Sequence, residues 1–269
     1  MSVSGLAKTA KIVLTIEYDG TRYYGFQSQP DLPTIQGEIE TAIGKMTGER
    51  LRVMSASRTD TGVHAIGQVV SFRTGSMLPM ETFIRALNHY LPVDVAVKAA
   101  CAVPDDFDVR RNAVSREYNY YIVSSLTRSP TWRCYAYQVG GRLNLEAMNR
   151  GCQILVGERD IASLGVTGEV GKRGTVRNIH RAEVVKKDNL IIFNIVANSF
   201  LRHQVRNTMG ALIRVGLGKM ETEELNNLLE ARTPGLVGPR APACGLCLMK
   251  VNYPAPFGGM FEEKRNEDI

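Results

Sequence analysis

Residues 57–65 read Ser-Arg-Thr-Asp-Thr-Gly-Val-His-Ala and connect two stretches of the chain that favour β-structure. The stretch before them, residues 51–56, and the stretch after them, residues 68–72, contain β-branched residues and alternate in polarity, which is typical of strands. We therefore predict a strand-to-strand loop that carries Arg58 and Asp60. An aspartate in such a loop often only bonds its own backbone. Position alone thus leaves two interpretations of Asp60 open, a turn residue or a catalytic carboxylate.

Upstream and downstream of this loop, the first part of the chain mixes strand and helix patterns. Residues 11–18 alternate apolar and polar side chains, which predicts a strand. Thr34 is a good N-cap for a helix whose apolar residues recur at helical spacing as far as Met46. After the loop we predict a helix over residues 80–91 and a strand over residues 93–103.

The second part of the chain repeats this mixture. Residues 116–123 alternate as a strand, and Asp188-Asn189 is a hairpin signal between two further strands. The remaining predicted elements are a helix over 144–156, strands over 175–187 and 190–198, a helix from 200 to 217, a helix over 221–232 and a strand over 244–253.

These patterns predict an α/β (α+β) fold made of two similar halves. Each half is expected to hold a mixed, largely antiparallel sheet with helices on one face, and the halves are expected to meet at a central basic cleft. Pro104-Asp105-Asp106 breaks a β-rich run and indicates the boundary. The predicted parts are residues 11–105, residues 106–253 and a charged tail over residues 254–269.

Composition limits the class of protein. The chain has 269 residues, 44% of them hydrophobic, enough for one large globular domain or two of ordinary size. No run of about 18 apolar residues occurs, and the first residues lack the layout of a signal peptide, so we expect a soluble, cytoplasmic protein without a membrane segment. Five scattered cysteines, an odd number, are expected to stay reduced.

The charge distribution favours a polyanionic partner. The net charge is +6 and the pI is about 9.1. Residues 190–220 contain no acidic residue, and residues 172–187 contain only Glu183 among their basic residues. Arg202 and Arg206 are four apart on a predicted helix, so they share a face and can bind one anion together. This layout is typical of an RNA-binding face.

No metal site or nucleotide-phosphate loop is predicted. Cys244 and Cys247 lack a second pair of ligands nearby in sequence, and residues three apart on a strand point to opposite faces. Residues 216–219, Gly-Leu-Gly-Lys, lack the glycine spacing and the following Ser or Thr of a P-loop.

Several separated segments of the chain together resemble one known family. Besides Arg-Thr-Asp-Thr-Gly-Val-His-Ala at 58–65, they are Tyr-Asp-Gly at 18–20, Gly-Phe-Gln at 25–27, Thr-Ile-Gln at 34–36, Arg-Glu-Tyr-Asn-Tyr at 116–120, Phe-Leu-Arg-His-Gln-Val-Arg-Asn at 200–207 and the closing Ala243, Gly245, Leu246 and Leu248. They closely resemble the TruA family of tRNA pseudouridine synthases, whose loop usually reads Gly-Arg-Thr-Asp-Ala-Gly-Val-His-Ala. This sequence departs from that form at Ser57 and Thr61. Neither change removes a chemical group, so the departures raise a question of loop geometry.

The resemblance implies an activity, a substrate and an assembly. TruA-like enzymes convert uridine to pseudouridine in the anticodon stem-loop of tRNA, at tRNA positions 38, 39 and 40, and work as homodimers. The reaction breaks the N-glycosidic bond and joins C5 of the same base to the sugar. Because it involves neither a redox change nor a second substrate, no cofactor is expected.

The resemblance also assigns roles to residues. It makes Asp60 the nucleophile, a role that suits a carboxylate because it can attack an electrophilic carbon and later leave. It places Tyr118 against the target base, although a tyrosine on a strand often only packs in the core, as is expected of Tyr120. The family pairs its aspartate with an arginine of the later helix motif, for which Arg206 is the first candidate and Arg202 the second.

A uridine inside an anticodon arm must be flipped outward before it can react. Arg58, two residues before Asp60, is expected to fill the vacated space or to bond phosphate. Its alternative role is a surface salt bridge. His64 is expected to be structural, with its side chain bonded within the loop.

Two other functions remain open at this stage. A non-catalytic tRNA-binding or RNA-folding protein could use the same basic surface, and it would not need Asp60. A glycosidase-like enzyme acting on small molecules could use Asp60, but that class normally needs two carboxylates flanking the bond.

Overall fold

The computed structural model describes residues 9–166, 174–259 and 261. The chain divides into two compact units: unit 1 is residues 1–114 together with residues 251–269, and unit 2 is residues 115–250. Among the residues described, none of the helices has the length and hydrophobicity of a membrane-spanning segment.

Unit 1 is built around its first strand, which is paired on both sides. β1 pairs antiparallel with β3 on one edge and with β4 on the other, and β2 extends the sheet beyond β3. The elements are β1 (Ala10–Tyr18), α1 (Ile35–Thr47), β2 (Met54–Ser55), β3 (His64–Thr74), α2 (Met80–Tyr90) and β4 (Val95–Val103).

The core of unit 1 follows from the alternation of β1. Ile12, Leu14 and Ile16 are almost fully buried on one face of the strand. Phe72 of β3 pairs with Ile12, and its ring lies 6.4 Å from that of Phe83 on α2, so this face packs beneath the helix. The N-cap prediction for α1 is confirmed, because Gly37 N donates to the Thr34 hydroxyl at 3.3 Å.

Unit 1 also contains aromatic residues that the sequence assigned to the second part of the chain and to the charged tail. The Phe107 ring lies 5.4 Å from Tyr253, 4.5 Å from Phe257 and 5.5 Å from Phe261. The Thr15 hydroxyl on β1 also donates to the carbonyl oxygen of Phe261. Phe257 and Phe261 of the predicted charged tail therefore belong to a packed aromatic cluster, and residues 260 and 262–269 of that tail lie outside the described residues.

Unit 2 is also a mixed α/β arrangement. β5 lies between β9 and β10 in the strand order, β8 pairs antiparallel with β9 and with β7, and β6 runs parallel to β5. Its elements are β5 (Ser115–Ser124), β6 (Tyr137–Val139), α3 (Leu145–Leu155), β7 (Gly157–Asp160), β8 (Val176–Lys187), β9 (Leu190–Ala197), α4 (Gln204–Gly216), α5 (Thr222–Glu230) and most of β10 (Leu246–Asn252), with 3-10 turns at Ala162–Leu164 and Ala243–Gly245. The last two residues of β10 are counted in unit 1.

The predicted fold class is confirmed, since helices combine with mostly antiparallel strands in both units. Most predicted elements are observed with small differences at their ends, including the hairpin at Asp188-Asn189. The strand predicted over residues 51–56 is shorter, because Val53 N donates to the carboxylate of Glu40 at 2.9 Å instead of to a strand. Two short strands, β6 and β7, lack a clear alternation and were not predicted.

Candidate active site

The loop that carries Asp60 lies between β2 and β3 and is bonded through its backbone on both sides of that residue. Phe26 N donates to Thr59 O at 3.1 Å, and Gly62 N donates to Tyr23 O at 3.2 Å. Both partners belong to the segment that follows β1. The backbone of Asp60 is therefore fixed by a second segment of unit 1.

Buried polar side chains hold the base of the loop. The hydroxyl oxygens of Tyr18 and Thr59 lie 2.8 Å apart. Gln68 on β3 is fully buried; its Nε2 donates to Ser57 O at 2.7 Å, and its Oε1 accepts from Ser57 N at 3.3 Å. One side-chain amide thus satisfies both backbone groups of Ser57 in a site with little access to water.

Two glycines allow the opening segment to approach the loop closely. A Cβ on Gly25 would lie 2.8 Å from Thr59 O, and a Cβ on Gly20 would lie 2.0 Å from Val63 O. Gly25 also has φ +91°, which favours glycine. The Tyr-Asp-Gly and Gly-Phe-Gln segments therefore shape the site by backbone contact.

Asp60 and Arg58 share this loop but differ in exposure, since Asp60 is half-buried and Arg58 is exposed. His64 is buried, and its Nδ1 accepts a hydrogen bond from Gly20 N at 3.1 Å. That bond supports a structural role for His64, with its partner on the turn after β1 and outside the loop.

The two departures from the family signature are compatible with this geometry. Within the described residues, the non-glycine positions with positive φ are Asp31, Asp188, His203 and Arg232. Ser57 is not one of them, so its backbone conformation does not require glycine. Thr61 is exposed, which leaves room for a side chain larger than alanine.

Tyr118 and Tyr120 lie on the same face of β5 but have different surroundings. Tyr118 is buried, and its ring meets the ring of Phe200 edge to face at a centroid distance of 5.2 Å. Tyr120 is fully buried, and its hydroxyl donates to Pro242 O at 2.7 Å. Burial raises the pKa of Tyr120. Tyr120 is therefore a core residue, as predicted.

The predicted helical pairing of Arg202 and Arg206 is wrong. His203 has φ +63°, a left-handed conformation that does not continue a helix, and α4 begins only at Gln204. Arg202 therefore lies in the preceding turn, where it is exposed, while Arg206 lies in the first part of α4. The spacing of four gives them no common helical face.

Arg206 is held by the segment that precedes β10. Its Nε donates to Ala241 O at 2.9 Å. The next residue, Pro242, accepts the Tyr120 hydroxyl. Burial raises the pKa of the Cys244 thiol, and the positive charge of Arg206 opposes that rise. Arg206 and Tyr120 thus donate to two neighbouring carbonyl groups, those of Ala241 and Pro242.

One arginine of the basic stretch at 172–187 is paired with an acidic residue from another strand. Lys172 and Arg173 lie outside the described residues. Arg181 is 3.1 Å from a carboxylate oxygen of Glu117, and its Nε donates to Asn194 at 2.9 Å. Glu117 lies on β5, far away in sequence, so the charge pattern of the stretch alone could not reveal this pairing.

The sequence assigned the opening Tyr-Asp-Gly segment to the shaping of the site, but it did not predict the side-chain contacts of Tyr18 and Gln68 with the Asp60 loop. Gln68 carries a usable signal, because a glutamine within an apolar strand segment must find partners when it is buried. The contact of Tyr18 with Thr59 has no comparable signal, since it joins residues from distant parts of the chain.

Comparison with known proteins gives a consistent result. A family described as tRNA pseudouridine synthase matches residues 14–111 and 152–254. Proteins named tRNA pseudouridine synthase A are similar to this chain: one from Exiguobacterium sp. is 42% identical over 90% of this chain and 98% of its own length. Those from Geotalea daltonii and Caldicellulosiruptor bescii are 40% and 38% identical over 90% of this chain and 99% of their own lengths.

Proposed function

Because this chain belongs to the tRNA pseudouridine synthase A (TruA) family and is an isomerase, we propose that it modifies uridines in the anticodon stem-loop of tRNA, at positions 38, 39 and 40, with Asp60 as the nucleophile. The observation that carries the proposal is the fixed loop of unit 1. Its backbone is bonded on both sides of Asp60, and its base is held by Tyr18 and Gln68.

The chemistry requires one carboxylate and no external reagent. The bond between N1 of uracil and C1′ of ribose breaks, a bond between C5 and C1′ forms, C5 loses a proton and N1 gains one. Asp60 attacks an electrophilic carbon of the nucleotide and leaves when the new bond has formed. A fixed backbone supports this role because a nucleophile must be held near its attack position.

The target uridine is proposed to leave its stack before it reacts. Unstacking costs a few kcal/mol, and the enzyme must recover that energy through its own contacts. Arg58, exposed on the Asp60 loop, is proposed to occupy the vacated space, because a guanidinium can both stack and bind phosphate. Tyr118 is proposed to pack against the uracil, and Arg206 and Arg202 to bind the RNA backbone.

The decisive experiment compares the wild type with Asp60→Asn on unmodified tRNA transcripts, followed by mapping of pseudouridine. Asp106→Asn is the matched control, since Asp106 is an exposed aspartate of the same unit. We expect modification in the anticodon arm by the wild type and by the control. Asp60→Asn should bind tRNA with wild-type affinity and form no pseudouridine.

Each part of the proposal can fail separately. Pseudouridine made by Asp60→Asn would remove the nucleophile assignment. Pseudouridine outside the anticodon arm would contradict the proposed target. Binding without any modification by the wild type would favour the non-catalytic RNA-binding function.

The assembly and location are also proposals that rest on family membership. We propose a homodimer in the cytoplasm, where tRNA substrates are available. Sedimentation velocity at several protein concentrations should give the mass of two chains, and a single-chain mass at all concentrations would contradict the homodimer.

A further inference from the structure

The connection between β5 and β6 presents aromatic and basic side chains together. Residues 125–136, here called the tryptophan loop, contain the single tryptophan of the chain. Trp132 is 40% exposed and Tyr135 is 45% exposed, and Arg128 and Arg133 are exposed as well. Large aromatic rings are usually buried, so two partly exposed rings on one short loop indicate a binding surface.

Hydrogen bonds within the tryptophan loop and from Gln138 on β6 hold its backbone in place. Gln138 on β6 bridges both ends of its first turn: Nε2 donates to Ser125 O at 3.1 Å, and Oε1 accepts from Ser129 N at 3.0 Å. Trp132 O accepts from Tyr135 N at 3.0 Å and from Ala136 N at 2.9 Å. A loop that is ordered in advance loses little conformational entropy when it binds.

The charge of this region selects the class of partner. Between Glu117 and Glu146 the sequence has no acidic residue, and it has Arg128, Arg133 and Arg142. Arginine guanidinium groups bind phosphates, and aromatic rings stack on unpaired bases. The combination therefore fits single-stranded or loop regions of RNA.

The end of the tryptophan loop contacts the segment that also holds Arg206 in unit 2. The Cys244 thiol lies 3.7 Å from Ala136 O, at the end of the loop. Ala241 O, three residues earlier, accepts from Arg206 Nε. One short segment, residues 241–244, thus contacts both the end of the tryptophan loop and Arg206, a residue proposed to bind RNA.

We propose that the tryptophan loop is a second contact site for tRNA, in which Trp132 stacks on an unpaired base and Arg128 and Arg133 bind neighbouring phosphates. The site rests on the proposed function for its substrate, and it adds a contact apart from the Asp60 loop. A second copy of this chain fits less well. In the common two-fold dimer, a surface patch contacts the same patch of the other copy. The arginines of the tryptophan loop would then face the same arginines of the second copy.

The single tryptophan makes the proposal directly measurable. Titration of the wild type with an unmodified tRNA transcript should quench the fluorescence of Trp132, because stacking on a base places the indole against it. Asp60→Asn should show the same quenching, since it retains binding. A protein that makes pseudouridine without any change in this fluorescence would overturn the proposal and leave the proposed function intact.

Single substitutions distinguish the contribution of base stacking to tRNA binding from the contribution of charge. Trp132→Ala should weaken tRNA binding, measured by filter retention, by about 5- to 100-fold, and it should raise KM while kcat at saturating tRNA stays unchanged. Arg128→Ala and Arg133→Ala should each lower the slope of log K against log salt concentration by about 1. Arg50→Ala, which removes an exposed charge beyond α1 in unit 1, is the matched control and should change neither quantity.

Two further outcomes would overturn the proposal. Wild-type affinity and KM in Trp132→Ala would show that the ring makes no contact with tRNA. A tryptophan signal that depends on protein concentration without RNA, together with dissociation of a dimer in Trp132→Ala, would assign the loop to contact between copies. If the wild type forms no pseudouridine, that result would instead contradict the proposed function, whether or not the Trp132 fluorescence changes.

Discussion

The hydroxyl oxygen of Thr59 lies 2.8 Å from that of Tyr18, so the residue before Asp60 is bonded to the last residue of β1. This contact joins the opening Tyr-Asp-Gly segment to the loop of the family signature. Both side chains are buried, where a hydrogen bond is stronger and its loss costs more than at the surface.

Tyr18→Phe removes this hydrogen bond while the ring remains. We expect the free energy of unfolding to fall by about 1 kcal/mol. We also expect kcat to fall several-fold with little change in KM, because the loop that fixes Asp60 loosens. Tyr24→Phe is the control, since Tyr24 is 48% exposed, and it should leave both quantities unchanged. A wild-type kcat in Tyr18→Phe would contradict the supporting role of the contact.

Gly25→Ala tests the close approach of the opening segment to the loop. Gly25 and Gly48 both have positive φ, but an added Cβ meets Thr59 O at 2.8 Å at Gly25 and meets nothing within 4 Å at Gly48. Gly48→Ala should therefore cost only the backbone strain, about 1–2 kcal/mol. Gly25→Ala should cost more and should also lower kcat, as measured by urea unfolding and by pseudouridine formation. Equal destabilisation by the two variants would mean that the close approach has no energetic importance.

Gln68→Leu removes the buried amide that satisfies Ser57. The carbonyl and the N–H of Ser57 would lose their partner, so we expect a loss of about 1–3 kcal/mol in the free energy of unfolding. Gln29→Leu is a matched control, because Gln29 Nε2 donates to Tyr24 O at the same 2.7 Å but in an exposed position. The control should lose well under 1 kcal/mol, and a similar loss in both variants would show that burial does not set the cost.

Asp108→Ala tests a pH-dependent contribution to unit 1. Burial raises the pKa of Asp108, but hydrogen bonds from the backbone N–H groups of Arg111 and Arg110 outweigh it, so the pKa is lowered from 3.8. A carboxyl whose folded-state pKa is lowered stabilises the fold above its unfolded pKa, and that contribution disappears as pH falls through the folded pKa.

The difference in unfolding free energy between the wild type and Asp108→Ala should thus be complete at pH 7, about 1 kcal/mol as for a lost cap. It should shrink as the pH falls below 3.8. Urea unfolding at pH 7 and pH 3 measures this, with Asp106→Ala as the exposed control. An unfolding free-energy difference between the wild type and Asp108→Ala that is larger at pH 3 than at pH 7 would contradict a lowered pKa of Asp108.

Structural features that are set by residues close together in sequence could be predicted from local patterns. The buried face of β1, the Thr34 cap and the hairpin at Asp188-Asn189 all follow from spacing or turn chemistry. The fold class and the Asp60 loop could therefore be predicted, the latter because its residue types are distinctive.

Contacts between distant residues could not be predicted in this way. Glu117 on β5 pairs with Arg181 on β8 because both strands lie next to β9 in the sheet. A short stretch of sequence does not reveal that strand order. The start of α4 depends on the left-handed backbone of His203, although helical spacing continues through it. Phe257 and Phe261 looked like part of a charged tail because their partner, Phe107, lies far upstream.

The aromatic cluster around Phe107 also affects the order in which the two units can be completed during translation. Phe261 packs against Phe107 and accepts from Thr15, so unit 1 needs residues from both ends of the described chain. Translation at roughly 5–20 residues per second separates those ends by tens of seconds. Unit 2 is continuous in sequence and can fold during that interval, while Phe107 and Thr15 still lack their partner Phe261. The unit that carries Asp60 is therefore completed only after unit 2 has been synthesised, and a product truncated before Phe261 contains Asp60 in an incomplete unit.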